Sequence, residues 1–273
     1  MPTSKTTGIA VSSAKQTLGD DLLRHRQAAS QREFFRALGG GAAGSRCLQL
    51  DGEVQATIVP ARPWFSIFNS VLFRDAEALR HVLPELASAY ENAGVKAWTV
   101  WTPSGDERGA ELLESAGHAL DSTPMLMAAP IASIDLEHRA ALDLEPRPSW
   151  EMVARCNDRA HGVLEPWTMA AVFETMDDPA THLYAARHQG QTACCLLARE
   201  SEGDCYLWFV ATVPEAQRLG LASELIRRAL GEALERGCVT TSLESTHVAE
   251  AVYERLGYRA LGRYGMWERR STE

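Results

Sequence analysis

The stretch Ala211-Thr-Val-Pro-Glu-Ala-Gln-Arg-Leu-Gly-Leu-Ala222 joins two elements of different period. Upstream, Tyr206 to Val213 is apolar and rich in aromatic and β-branched residues, which predicts a strand. Pro214 has no N–H to give a ladder and ends it. Downstream, Leu221, Leu225, Ile226, Ala229, Leu230, Ala233 and Leu234 recur at helical spacing, and the predicted helix runs to Arg236. Gly231 weakens it slightly, and Gly237 stops it.

The joint carries the chemistry. Gln217-Arg218-Leu219-Gly220-Leu221-Ala222 puts Gly and Ala at a first helical turn, where four backbone N–H groups lack an intrahelical partner. Side chains that small let an anion reach those groups, and the helix dipole favours it. Arg218 adds a fixed positive charge suited to a phosphate. The simpler alternative is a tight strand-to-helix turn with no ligand. The pattern Gln/Arg-x-x-Gly-x-Gly/Ala after such a strand resembles the acetyl-CoA loop of the GNAT superfamily of N-acetyltransferases.

A second motif follows about thirty residues later, the order and spacing typical of that family. Leu243-Glu-Ser-Thr246 leads into Ala251-Val252-Tyr253-Glu-Arg-Leu256-Gly257-Tyr258. This is similar to the acetyltransferase ending Tyr-x-x-x-Gly-Phe/Tyr. The resemblance implies that Ala211, Thr212, Val213, Gln217, Arg218, Leu219, Gly220, Leu221, Ala222 and Ser223 hold acetyl-CoA, together with Thr246. It implies backbone groups of Ala211 and Val213 turned towards the pantetheine arm, and Tyr253 as proton donor to the leaving thiolate. The family often has Asn where Thr246 stands.

A proton acceptor for the amine is also needed. Many relatives carry a Glu in the strand before the loop, but Tyr206–Val213 contains no acid. Glu244, at the end of the next strand, is the first candidate; Glu165 and His161 are the others. A water chain to any of them would serve. Trp64, Phe65, Trp150, Trp167 and Trp208 could line an apolar pocket, although scattered aromatics are by default core.

Taken in order, the chain reads as one α+β unit written twice. Helix candidates are Thr17–Leu38, Ala76–Ala93 with Pro84 as a kink or true start, and Glu107–Ala116. In the second half they are Ser149–Ala160, Thr168–Met176, Gln217–Arg236 and Val248–Leu256. Strand candidates are Arg46–Leu50, Val54–Val59, Trp64–Leu72, Lys96–Thr102 and two within His118–Ala129. The second half adds His182–Ala186, Gln191–Glu200, Cys205–Val213, Val239–Glu244, Tyr258–Leu261 and Gly265–Arg269.

The boundary falls in the acidic, proline-ended stretch Ile131–Pro148. This gives a disordered tail over 1–16, a degenerate GNAT-like domain over 17–135 and an acetyl-CoA-binding GNAT domain over 136–273. The expected fold is two GNAT-like units, each a mixed, mainly antiparallel twisted sheet flanked by helices. At the joint of the first half, Val71-Leu-Phe-Arg-Asp-Ala-Glu-Ala-Leu79 has no glycine, so the phosphate cradle is missing. That half still resembles the degenerate N-terminal half of tandem acetyltransferases through Phe68-Asn69-Ser70-Val71, Trp98-Thr-Val-Trp101 and the Leu112…Ala116-Gly117 ending. It would serve as scaffold, or as one wall of the substrate pocket.

Composition narrows the partners. A net charge of −9 argues against a nucleic-acid surface. No apolar run is long enough to cross a bilayer, and Met1 to Thr17 lacks the apolar core of a secretory signal. The six cysteines show no Cys-x-x-Cys spacing and read as reduced thiols of a cytoplasmic protein, with no metal site. The reading is an acetyl-CoA-dependent N-acetyltransferase in which a small-molecule or peptide amine attacks the thioester directly. It leaves open a homodimer, transfer of a longer acyl group, and a non-catalytic acyl-CoA sensor or interaction module.

Overall fold

The computed structural model describes residues 18–163 and 169–271. The expected tail over 1–16, Glu165 and Trp167 lie outside them. The first half runs α1 (Asp20–Leu38), β1 (Arg46–Leu50), β2 (Val54–Ile58), β3 (Ser70–Leu72), α2 (Ala76–Asn92), β4 (Ala97–Thr102), α3 (Glu107–Ser115), β5 (Ala119–Ser122) and β6 (Met125–Pro130). The second runs β7 (Asp143–Leu144), α4 (Trp150–Ala160), β8 (Thr181–His188), β9 (Gln191–Ser201) and β10 (Asp204–Thr212). It closes with α5 (Leu221–Glu235), β11 (Thr240–Ser245), α6 (Glu250–Leu256), β12 (Arg259–Arg263) and β13 (Gly265–Arg270).

Two sheets result, in the orders β1-β2-β3-β4-β13-β5 and β12-β6-β11-β10-β9-β8-β7. Each contains one parallel pair, β3 with β4 and β10 with β11, and is otherwise antiparallel. The halves trade a strand. β6 leaves the first half to lie between β11 and β12, and β13 leaves the second half to lie between β4 and β5. A cut between residues 135 and 136 therefore divides the sequence but not the sheets.

Alternation along β10 fixes which helices cover which face. Cys205 and Leu207 pack with Leu225, Ile226 and Tyr253 from α5 and α6. Tyr206 and Trp208 pack on the opposite face with Phe34 and Phe35 of α1, where Phe68 and Trp101 of the first half join them. Cys194 and Cys195 likewise fall on opposite faces of β9. Trp208 is thus core between the halves, and Trp150 stacks on Phe173 at 4.6 Å.

Three elements differ from expectation. Trp64–Leu72 is not one strand: a 3-10 turn spans Ser66–Phe68, and only Ser70–Leu72 pairs. Asn69 causes this, since its side chain accepts from Val59 N–H at 2.7 Å and donates to the Arg62 and Phe65 carbonyls. The helix does not restart at Pro84, which lies exposed eight residues after Ala76; water can satisfy the carbonyl its ring leaves free. The segment before β8 forms only a 3-10 turn, Met169–Val172. Among the described residues no helix is long and apolar enough to cross a membrane.

Candidate functional site

β10 stays paired with β9 as far as Thr212 but with β11 only over Asp204–Tyr206. Beyond Tyr206 and Ser242 the parallel neighbours part, leaving a V-shaped opening within the sheet. A bulge between Trp208 and Ala211 bends β10 at this point, and Phe209 takes a left-handed φ of 52° to make it.

The bulge decides which backbone groups face the opening. Val213 N–H donates to the Ala193 carbonyl at 2.9 Å, and Ala211 lies opposite Cys195 with the same parity. Both residues therefore direct their backbone groups to β9, contrary to expectation. Thr212, between them, turns its own towards the opening; its carbonyl takes the Gln217 side-chain amide at 3.3 Å. The Thr212 hydroxyl contacts Cys194 Sγ at 3.3 Å.

Past the opening, Arg218 and Gly220 both adopt left-handed backbone, with φ of 64° and 81°. Two such residues around Leu219 curl the chain so that successive N–H groups converge. Gly220 is the N-cap of α5 and offers no side chain, so the first N–H groups of the helix have no side-chain cap. A Cβ at Gly220 would meet nothing within 4 Å, which leaves the concavity open. Arg218 and Leu219 are exposed beside it, and Leu221, Ala222 and Ser223 are half-buried.

The first half closes the same place. There Asp75 caps α2, its carboxylate accepting Ala78 N–H at 2.9 Å. A built-in anion occupies the helix start that Gly220 leaves free.

Residues 148–258, which contain this joint, match the sequence model of the Acetyltransferase (GNAT) family. That segment carries a GNAT acetyltransferase domain. Solved structures share the fold over both halves. A GCN5-related N-acetyltransferase from Kribbella flavida is 19% identical, with a TM-score of 0.64, covering 89% of this chain and 94% of that one. One from Sphaerobacter thermophilus is 17% identical, with a TM-score of 0.56 and coverage of 81% and 78%. A tandem GNAT protein from the clavulanic acid biosynthesis pathway is 13% identical, with a TM-score of 0.55 and coverage of 93% and 97%. No curated protein matches the chain.

In the GNAT domain, Tyr253 packs on the α5 face of the sheet, in the cluster that holds Leu207 and Leu225. It is buried on α6, 5.7 Å from Tyr258 between ring centres, and its hydroxyl has no hydrogen-bond partner among the described residues. Burial, and then the Cys194 thiol, raise its pKa above the usual phenol range. It holds its proton at neutral pH.

Glu244 lies on the other face, beneath α1. Tyr206 donates to Oε2, while Gln31 donates to Oε1 at 3.3 Å and Gln27 donates to the same oxygen. Gln27 in turn accepts the Tyr264 hydroxyl at 2.9 Å. Burial pushes the Glu244 carboxyl up to about 7, against the Tyr206 and Gln27 hydrogen bonds that pull it down. A carboxyl poised there can accept a proton at neutral pH.

The other expected residues stand apart. His161 is exposed at the end of α4, and no contact among the described residues joins it to Tyr253 or Glu244. Thr246 is exposed after β11, its carbonyl accepting Ser245 Oγ and Ala249 N–H. Sequence reasoning missed Gln27, Gln31 and Cys194, whose roles depend on long-range packing alone. It also missed Arg255, an exposed cation lining a cavity with Leu219, Gly220 and Ser223.

Proposed function

We propose that this protein is an N-acetyltransferase that moves an acetyl group from acetyl-CoA to an amine. The observation that carries it is the parted β10–β11 pair. It lies between an uncapped helix start and two protonatable groups, one on each face of the sheet. Acetyl-CoA is a substrate in this reading, held by converging N–H groups of the Arg218–Gly220 turn and by Leu221, Ala222 and Ser223. Arg218 and Arg255 supply charge for its phosphates, and Thr212 offers the outward backbone groups that its pantetheine arm would meet.

The two faces divide the proton work. Glu244 takes the proton from the amine, directly or through water, so that the neutral nitrogen can attack the thioester carbonyl. Tyr253 gives its proton to the departing thiolate. Uncoupled backbone N–H groups in the opening stabilise charge on the carbonyl oxygen. The first half, with its cradle filled by Asp75, supplies α1 to hold Glu244 and forms a wall of the acceptor site.

Acetyl-CoA binding by calorimetry, followed by thiol release with a panel of amines, tests the reading. Binding followed by amine-dependent thiol release is the expected result. Binding without thiol release to any amine would make the chain an acyl-CoA sensor instead. No binding would overturn both.

A further inference from the structure

A cavity of about 440 Å³ opens at the carboxyl ends of β3 and β4, the parallel pair of the first half. Leu72, Trp101 and Leu261 give it an apolar floor, and its size suits a small molecule. Arg24, Arg32, Arg74 and Arg263 all line it, and among the described residues no acidic side chain does. The carboxylates that meet these arginines stand outside the lining: Asp21 with Arg24, Glu53 with Arg74 and Glu250 with Arg263. Arg32 has no carboxylate within ion-pair distance among the described residues; its guanidinium donates only to the Glu53 carbonyl, at 2.8 Å. Burial, and then the Arg74 charge, lower its pKa.

The cavity adjoins the base. Gln31 lines it and donates to Glu244. Tyr264 lines it and reaches Glu244 through Gln27. A molecule seated here would have an anion-seeking wall at one end and, one hydrogen-bonded residue away, the carboxyl that takes the proton.

We propose that the cavity seats the acidic end of the acceptor. The substrate is an amine that carries a carboxylate or phosphate on a small apolar body, with the acid held by Arg32 and Arg74. The amine then extends past Gln31 towards Glu244. Planar guanidinium groups suit either acid. This inference rests on the transferase reading, so its test needs one arm that does not.

The binding arm uses 3-phenylpropionate and phenyl phosphate as unreactive probes and 3-phenylpropanol as the neutral control, titrated into the full chain by calorimetry. At least one acid should bind, the alcohol should not, and Arg32→Ala should weaken the acid on the order of tenfold or more. Arg74→Ala, with a side chain 57% exposed, should act likewise without risk to folding. Absence of acid binding, equal binding of the alcohol, or acid binding unmoved by both variants would each overturn the proposal.

The transfer arm compares phenylalanine with phenylalaninol, and phosphoethanolamine with ethanolamine. KM should favour an acid over its neutral partner, and Arg32→Ala should shrink that preference. Acetylation with no preference would sink the acidic acceptor but leave the transferase standing. Acid binding at the arginines with no acetylation of any amine would sink the transferase, and with it the acceptor's seat.

Discussion

Tyr206 and Glu244 meet where β10 and β11 begin to part: the phenol donates to Oε2 at 2.6 Å, two residues beyond Ser242, the last residue of β11 paired with β10. The bond ties the carboxylate to the sheet and favours its charged form, while burial opposes charge. A base works when deprotonated, so kcat/KM should rise with pH to half its maximum near 7. Tyr206→Phe removes the bond that lowers the carboxyl's pKa, and should move this limb to higher pH. Glu244→Gln should lower the rate about a hundredfold or more and flatten the profile. A limb unmoved by both changes would remove Glu244 as base.

On the other face, the Tyr253 hydroxyl has no hydrogen-bond partner among the described residues. Tyr253→Phe should lower kcat by about a hundredfold, within the usual contribution of a positioned proton donor. The affinity for acetyl-CoA should hold, because a buried ring is retained. Stopped-flow turnover paired with calorimetry separates the two effects, and unchanged kcat would make Tyr253 a packing residue.

The loop before α5 separates conformation from charge. Gly220→Ala should cost about 1–2 kcal/mol through its left-handed φ, with no clash to add. Gly220→Glu should in addition abolish acetyl-CoA binding, because a carboxylate would compete for the helix start. Arg218→Asn keeps a residue that tolerates left-handed backbone. It should leave stability nearly unchanged while weakening acetyl-CoA by roughly tenfold, as loss of one charged contact would. Retained affinity in Gly220→Glu would remove the anion site from this loop.

Glu224 links the segment between the halves to the same helix. One oxygen takes Arg227 at 2.7 Å, and the other takes Arg139 N–H at 3.1 Å and His138 at 3.3 Å. Arg227 also donates to the Asp135 carbonyl. Both members of the ion pair are buried, so Glu224→Ala leaves a buried cation without its partner. Urea unfolding should show a loss of about 3–5 kcal/mol. A loss under 1 kcal/mol would mean that water replaces the carboxylate.

His118 sets the acid limit of the first half. Its ring stands edge-on to Trp98 at 4.6 Å, and neither ring nitrogen has a hydrogen-bond partner among the described residues. Burial, and then the Arg269 charge, lower its pKa from 6.5 to about 4. The unfolded chain thus binds more protons between those values. Stability should be full above pH 6.5 and fall as the pH drops towards 4, by up to roughly 3 kcal/mol. His118→Phe should remove this slope, as measured by denaturant midpoints across the window.

Local patterns carried much of the fold into the sequence. Apolar spacing and a terminal glycine placed the end of α5 within one residue of Glu235, whereas the expected start at Gln217 lies four residues before Leu221; turn residues separated the strands of each half. Asn69 defeated the strand at Trp64–Leu72 because its three side-chain bonds form only in the folded turn. The left-handed backbone at Phe209 has no signature either, and it governs which of Ala211, Thr212 and Val213 faces the opening. Met125–Pro130 reads as an apolar strand, but nothing in it tells which sheet it joins. Glu244 could be noticed at a strand end, whereas Gln27 and Gln31, more than two hundred residues earlier, could not.

The exchange of β6 and β13 bears on how the chain is made. During synthesis β4 and β5 emerge long before residues 265–270, so the nascent first sheet must wait with a gap where β13 belongs. The apolar edge of β4 stays unpaired all that time, open to any other strand it meets. Pairing across so many residues is slow to form. The halves cannot follow the usual order in which a leading domain folds while the ribosome is still at work. They finish together, and chaperone demand should fall on the first half until they do.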